Sequence, residues 1–530
     1  MLSPRGRAPF PSRPAVLVSV FLLLSAPLAA QVAAGDSAWT RGDYPAARAA
    51  YERALAEDPR LMRAGFRLGI LLSWEGKLDS SLTMLGRARE IDPDDADLRY
   101  RQALVMSWRG DYRDAMLRYD SLLAEHPDHH DAELGRARTL SWSGRLDAAE
   151  AAYRALVERD PGDIQALTGL AQVTAWQGDL PLAERRFQAA LDRDSTAVDA
   201  LVGQAYVYHR MGRERQARRR IDQALALQPK QRDALEAAAV FRAARRPDAE
   251  ATLGWSHDSD RNTNWWQSLT ISAPIAEGVR GFATGGVLEA SDPTRQATRS
   301  MVEAGASYAR GYGFYRGAIG VRQLSPDGPP SRTPLTGSLS ARYRFAPALT
   351  AGATFAHFPF DETALLVGQD LDIDALDLNL RLTPGHALSV EALLGSAWFS
   401  DGNTRRNGIV VLTKRLPHGF NVGALGRIMG YDRKGIGYFS PDRFTLFEGR
   451  GGYYYEKKRW DASLSGGLGA QRIGGGGSSQ VAWHLDGRLA RHWAAANEIA
   501  LTAGASNSAA SSTTGAYRWY TVVLSAKLGL

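Results

Sequence analysis

Residues 519–530 read Trp-Tyr-Thr-Val-Val-Leu-Ser-Ala-Lys-Leu-Gly-Leu, and their alternation decides the fold of the second half of the chain. An extended strand sends successive side chains to opposite faces. Tyr520, Val522, Leu524, Ala526, Leu528 and Leu530 then make a nearly unbroken apolar stripe. Trp519, Thr521, Val523, Ser525, Lys527 and Gly529 make the other face, which is mostly small or polar. In a soluble sandwich the apolar stripe covers a shared core; in a transmembrane barrel it meets lipid while the polar side meets a wet lumen.

The same texture runs back to Ala249. Clusters rich in Gly, Asn, Asp, Ser and Pro, among them 258–264, 291–295, 326–330 and 474–479, divide it into about sixteen extended segments, the last two starting near Ala495 and Tyr517. Sixteen to eighteen strands enclose an aqueous channel, whereas about eight are filled by their own side chains. Aromatic pairs and triplets at segment ends (Trp265-Trp266, Tyr453–Tyr455, Trp519-Tyr520) suit an interfacial girdle. Asp370, Asp372 and Asp374 alternate with Leu371 and Ile373, and the polarity of that face inverts at Leu376, Leu378 and Leu380. The inversion predicts a turn or bulge near Ala375, with the aspartates lining the lumen or a loop mouth. The Pro/Gly-rich stretch Ser325–Pro330 is the candidate lid loop.

The chain has 530 residues, too many for one ordinary domain. It carries a formal charge of +7 and no cysteine, so disulfides, thiolate metal sites and a lipoprotein cysteine are excluded. Its basic residues are spread out and no nucleic-acid motif collects them, so no nucleic-acid partner is expected. Residues 1–34 read as a secretory signal: Arg5, Arg7 and Arg13, then apolar Ala15–Leu24, then small residues with cleavage expected between Ala29 and Ala34. That apolar run is half the length of a spanning helix, which needs about 20 residues.

Between the two lies a repeat. Gly42, Gly76, Gly110, Gly144, Gly178 and Gly212 stand 34 residues apart. Pro59, Pro93, Pro127, Pro161 and Pro229 keep the same step, with Ser195 in the one vacant place, as do small residues (Ala47, Ser81, Ala115, Ala149) and bulky ones (Tyr51, Leu85, Tyr119, Tyr153). Glycine turns the chain between the helices of a pair, proline stops the second helix, and each large residue fills a gap left by small ones. Such a pair leaves an apolar face that only its neighbour covers. The pattern resembles a tetratricopeptide array, here six units with a capping helix over 35–246. Trp74, Trp108, Trp142 and Trp176 share the step, near the end of the first helix of four successive units. In tetratricopeptide domains that end borders the concave groove, so the indoles are candidates to stack on sugar rings or dock a partner segment, or else pack on the next repeat. His126, His129 and His130 sit at a turn without zinc spacing, and no metal is expected there. Arg213, Arg215 and Arg218–Arg220 form a basic patch that reads as a solvated helix face.

Gly437, Tyr438, Phe439, Ser440 and Pro441, then Arg443–Leu446, Tyr453–Tyr455, Trp460–Gly469 and Leu489–Trp493, resemble the C-terminal region of the outer-membrane subunit of bacterial cellulose synthase. The resemblance implies a periplasmic tetratricopeptide array joined to a sixteen-stranded barrel through which a new glucan leaves the cell. The poly-N-acetylglucosamine exporter is similar in architecture. The expected fold is therefore an α + β multidomain chain: an α-superhelix over 35–246, then a 16-stranded antiparallel transmembrane β-barrel over 249–530 in the outer membrane.

No phosphate-binding loop, zinc-protease motif or nucleophile elbow occurs, so no catalytic residue and no cofactor is expected. The implied function is passive export of an exopolysaccharide, cellulose-like β-glucan first. The implied partners are the polysaccharide chain, an inner-membrane glycan synthase complex, outer-membrane lipid and peptidoglycan. The alternative is an outer-membrane-anchored tetratricopeptide scaffold whose closed barrel transports nothing.

Overall fold

The structure, a computed structural model, describes residues 29–385, 387–457, 459–494, 496–509, 513–515 and 518–530. Residues 1–28 of the expected signal segment, and the expected strand starts Ala495 and Tyr517, lie outside the described residues. The chain divides into two compact units, one through Val173 and one from Thr174.

In the first unit, helices α1 (29–40) and α2 (Tyr44–Glu57) are followed by α3 (Met62–Trp74) and α4 (Leu78–Ile91). Next come α5 (Ala96–Arg109), α6 (Tyr112–Glu125), α7 (His130–Trp142) and α8 (Leu146–Arg159); α9 (Ile164–Gln177) crosses the division. Gly76, Gly110 and Gly144 hold φ of 75°, 95° and 78°, the left-handed region that favours glycine. The residue after each closes the helix end: Lys77, Asp111 and Arg145 N–H donate to the carbonyls of Leu72, Met106 and Leu140 at 2.9–3.0 Å. The repeat's large residues are the core, with Tyr51, Leu85 and Tyr119 fully buried. Small residues make room for them. A Cβ on Gly135 would lie 2.6 Å from the Tyr119 hydroxyl oxygen, and one on Gly169 would lie 2.3 Å from the Tyr153 ring.

The second unit continues with α10 (Leu180–Arg193), α11 (Val198–Arg210), α12 (Glu214–Leu227) and α13 (Arg232–Ala244). Strands then run to the end: β1 Asp248–Asp258, β2 Thr263–Ala276, β3 Val279–Ser291, β4 Gln296–Arg310, β5 Gly313–Pro326, β6 Leu335–Ala346, β7 Leu349–Pro359 and β8 Asp372–Leu382. The rest are β9 Leu388–Phe399, β10 Thr404–Arg415, β11 Phe420–Tyr431, β12 Phe444–Lys457, β13 Trp460–Ile473, β14 Ser479–Ala494, β15 Asn497–Ser506 and β16 Trp519–Gly529. A one-turn helix, α14 (Ala364–Val367), lies between β7 and β8.

Each strand pairs antiparallel with the next, and β1 pairs with β16 from Asp248↔Gly529 to Asp258↔Trp519, so the sheet closes into a sixteen-strand barrel. Closure removes both edges, so each strand of the wall has a ladder partner on either side. With strands about 4.8 Å apart and tilted near 40°, such a ring is roughly 30 Å across between backbones.

Directly paired residues share a face, so the alternation of β16 assigns every strand. Tyr520, Val522, Leu524 and Leu528 point outward and are exposed, as are Ile319, Leu339, Leu394 and Leu468 elsewhere on the ring. An apolar band all round a closed barrel is a surface that lipid covers. Among the described residues no helix is long and apolar enough to cross a membrane.

The connections are asymmetric. At the end where α13 enters β1, strands are joined by short turns such as 277–278, 311–312 and 347–348. At the other end lie the long loops 360–371 and 432–443, and the connection from β15 to β16, of which 507–509, 513–515 and 518 are described. Outward aromatics gather near both ends, Trp255, Trp265 and Trp398 at one and Tyr315, Tyr343 and Trp460 at the other. The aromatic clusters seen in the sequence therefore split. Trp265, Tyr453, Tyr455 and Tyr520 join the outer face, and Trp266, Tyr454 and Trp519 point inward.

The last helices rest on the short-turn rim. Tyr312 donates its hydroxyl to the Asp179 carboxylate at 3.1 Å, Arg344 donates to the Gln177 carbonyl at 3.1 Å, and Gly311 N–H donates to the Met211 carbonyl at 3.0 Å. Gly212, at φ 71°, packs so tightly that a Cβ would lie 2.4 Å from the Ala309 carbonyl oxygen. Arg215 pairs with Glu277 of the β2–β3 turn and Arg213 with Glu184, so part of the basic patch is engaged within this unit.

One expectation is corrected. β8 runs without a bulge at Ala375, in continuous register with β7 and β9. The even positions keep the outer face throughout: Leu376, Leu378 and Leu380 lie in the apolar band, and Asp372 and Asp374 lie beyond it. The polarity inverts because the strand leaves the band, while the backbone stays in phase.

Candidate functional site

The lumen is the natural site, and its lining follows from the register. Inward positions on β5, β6 and β8 carry Arg316, Arg322, Arg342 and Arg381. Those on β1, β12, β14 and β15 carry Glu250, Glu448, Asp486 and Glu498. Arg342 on β6 and Asp486 on β14 are eight strands apart in the sixteen-strand ring, which is the opposite wall. Guanidinium groups only donate hydrogen bonds and carboxylates only accept them. The first wall also carries inward Glu303, Asp377 and Glu391 and the second inward Arg450, Arg488 and Lys527, so one wall has an excess of charged donors and the facing wall an excess of charged acceptors. Ser268, Thr270, Ser338, Ser340 and Thr354, which do both, line the sectors around the arginines.

Local contacts hold these groups. The Arg316 guanidinium lies 3.7 Å over the Phe282 ring, and Arg381 pairs with Glu391 at 2.9 Å. On the acidic wall Glu448 is buried, with its carboxylate 3.1 Å from His484 Nδ1, and Arg450 lies 3.1 Å from His484 Nε2.

At the long-loop end, described residues of loops 360–371 and 432–443 meet one another and residues 507–509 and 513–515 over the inward face of the wall. Phe439 N–H donates to the Thr513 carbonyl at 2.7 Å, and the Thr513 hydroxyl bonds the Glu362 carboxylate. Phe360, Leu366, Leu371, Tyr438 and Ala509 from the loops form one buried cluster with inward Ile373, Phe399, Tyr431, Phe444 and Leu446 of the wall. α14 seats Ala364 and Val367 against inward Leu288, Ala290, Ala297 and Leu324. Asp361 is almost fully buried between Arg299 (3.1 Å) and Arg322 (2.9 Å) of the wall. The expected lid stretch Ser325–Pro330 plays another part: the chain after it returns to the wall through the Leu324↔Arg332 bridge, and Arg332 clamps Asp370 and Asp372 at 2.7 and 3.0 Å.

The sequence candidates fall as follows. Asp370 and Asp372 lie at the loop mouth on Arg332, and Asp374 lies on the outer face, 2.9 Å from His357; none lines the open lumen. Gly437–Pro441 is the heart of the plug. Gly437 holds φ 82° beside Leu365, and Tyr438 is buried with its hydroxyl donating to Asp401 at 3.1 Å and accepting from Asn403 at 2.8 Å. Burial pushes the Tyr438 phenol up to about 12. Phe439 packs edge-on against Phe444, the Ser440 hydroxyl accepts from Gly435 N–H at 2.7 Å, and the Pro441 carbonyl accepts from Tyr431 N–H at 2.9 Å.

Trp74, Trp108 and Trp176 are exposed and Trp142 is half-buried. Trp74 meets Trp39 and Tyr44 at ring distances of 5.3 and 5.2 Å. In the histidine cluster His129 accepts from Ala132 N–H at 3.3 Å, capping α7, and His130 lies 3.2 Å from Asp163. The plug residues Phe360, Asp361 and Leu366 and the charged walls are what reading the sequence missed. Its available signals were the length of three turn-rich intervals and, once register is known, the parity of the charged positions.

Residues 38–104 and 109–173 match the tetratricopeptide repeat family. No curated protein matches the chain. Among solved structures the chain is similar to a bacterial polysaccharide outer membrane secretin, at 12% identity over 54% of this chain and 99% of that one, TM-score 0.45. It is also similar to a tetratricopeptide repeat protein from Parabacteroides merdae, at 16% identity over 41% of this chain and 84% of that one, TM-score 0.39. A thermophilic tetratricopeptide protein of Thermus thermophilus aligns at 22% identity over 34% and 98%, TM-score 0.32. The chain thus carries tetratricopeptide repeats in its helical half, followed by a closed antiparallel β-barrel of sixteen strands.

Proposed function

We propose that the protein is an outer-membrane conduit for an exopolysaccharide, with its repeats in the periplasm and its long loops outside the cell. The observation that carries this reading is the lumen: a ring wide enough for a hydrated chain, with a donor wall facing an acceptor wall. A sugar hydroxyl donates and accepts, so an uncharged polyhydroxylated chain finds partners on both sides. A polyion is drawn to one wall and repelled by the other. Contacts of this kind are individually weak and repeated, which lets a polymer slide. Short turns on the helix side and long loops on the far side agree with the usual arrangement of outer-membrane barrels.

A cellulose-like β-glucan is the first candidate polymer, from the resemblance around Gly437–Pro441. The repeats would guide the chain and dock the inner-membrane synthase complex, with peptidoglycan a further neighbour. Trp74, Trp108, Trp142 and Trp176 are the proposed glycan contacts. With no phosphate-binding motif in the sequence, the work of movement comes from polymerisation, and the plug yields to the advancing chain.

The plug also supports a second reading, a closed barrel that anchors a tetratricopeptide scaffold. Cells lacking the protein separate the two. On the conduit reading the polymer is made but accumulates in the periplasm, and surface polymer returns with the full-length chain. Unchanged surface polymer would favour the scaffold.

A further inference from the structure

Three side chains outside the plug converge at the short-turn end of the lumen. Asp461 opens β13, His492 lies near the end of β14, and Glu498 near the start of β15. His492 pairs directly with Glu498, and Asp461 with Ala490, so all three face inward. The β14–β15 ladder slips between His492 and Ala494, a bulge of the kind that re-aims side chains.

We propose that Asp461, His492 and Glu498 form a binding site for a divalent transition-metal ion of the zinc type. His492 Nε2 lies 2.5 Å from Asp461 Oδ2 and 3.6 Å from Glu498 Oε2, and one donor atom from each residue lies within 4.8 Å of the others. Zinc bonds of about 2.0–2.2 Å at a tetrahedral angle place donors roughly 3.4 Å apart, between those two distances. Arg488 holds the two carboxylates. It bonds Asp461 Oδ1 with one guanidinium nitrogen and Glu498 Oε1 at 2.5 Å with another, so Glu498 Oε2 faces the site, and the ion would replace the proton between Asp461 Oδ2 and His492 Nε2. Two carboxylates against one guanidinium favour a cation at this place. One nitrogen and two oxygen donors suit zinc and its first-row neighbours, and a chain without cysteine offers no competing thiolate site. With three protein ligands a fourth position stays open to the lumen, and the half-exposed His492 ring leaves the ion a path from it. The ion would clip β13, β14 and β15 together at the rim. The inference does not depend on what the barrel carries.

The test uses full-length protein, purified without a histidine tag, stripped by chelator and titrated with cobalt(II) while visible d–d absorption is followed. The expected result is a saturable band at one equivalent, bleached by zinc and lost in His492→Ala. Arg488→Lys should keep the band and weaken affinity roughly tenfold. Heat-modifiable migration in gels confirms that each variant still holds a folded barrel. No saturable band in the wild type, or equal binding by a folded His492→Ala variant, would overturn the site.

Discussion

Tyr438 stacks face to face on Phe399, with ring centres 5.2 Å apart and planes within 3° of parallel, joining the β11–β12 loop to the end of β9 on the barrel wall. Phe360 and Tyr431 complete the aromatic cluster at 5.4 and 5.8 Å. Truncating a buried aromatic costs about 3–5 kcal/mol, enough to release a surface loop while the barrel itself persists. Tyr438→Ala should therefore turn a silent channel into one with frequent large openings in planar bilayers.

The same tyrosine makes the plug sensitive to alkali. Burial holds its phenol at about 12 when docked, against about 10 in a solvated loop. Docking then favours the protonated form. Its contribution is complete below pH 10 and declines as pH rises from 10 to 12. Channel openings should become more frequent across that window, and Tyr438→Phe should remove this component of the pH response.

Asp361 fixes the β7–β8 loop by charge. Buried between Arg299 and Arg322, it is the counter-ion of two wall arginines. Breaking a buried pair on one side costs about 3–5 kcal/mol. Asp361→Asn should raise open probability and shift anion/cation selectivity toward anions, measured as the reversal potential in a salt gradient.

Much of this was legible in the sequence, and the losses have physical causes. Period-two alternation and the 34-residue step located the strands and the helix hairpins, because burial on one face forces those periods. The reading failed at Asp370–Asp374, where a change of surroundings along one face mimics a change of backbone phase. It also missed the plug. Phe360, Leu366 and Tyr438 pack on partners far off in sequence, and no local period records such contacts. Gly437–Pro441 was found by resemblance, but its place inside the barrel was not. The facing charged walls required register, which closure of the ring supplies and composition does not.

The indoles at Trp74, Trp108, Trp142 and Trp176 test the repeat half separately. Replacing all four with leucine should leave helical circular dichroism and the melting transition nearly unchanged. Retention on an immobilised glucan column should fall several-fold, since each stacking contact is worth about 0.5–1.5 kcal/mol. Unchanged retention would assign the four rings to packing.

The central claim is that the barrel is a wide aqueous path suited to an uncharged polyhydroxylated chain. The most direct measurement replaces loops 360–371, 432–443 and 507–518 with short turns and records single channels while oligosaccharides are added. A steady, large conductance, briefly and reversibly blocked by neutral gluco-oligosaccharides and little affected by uronate or glucosamine oligomers, is the predicted result. A trimmed barrel that stays silent, or one that only charged oligomers block, would contradict it.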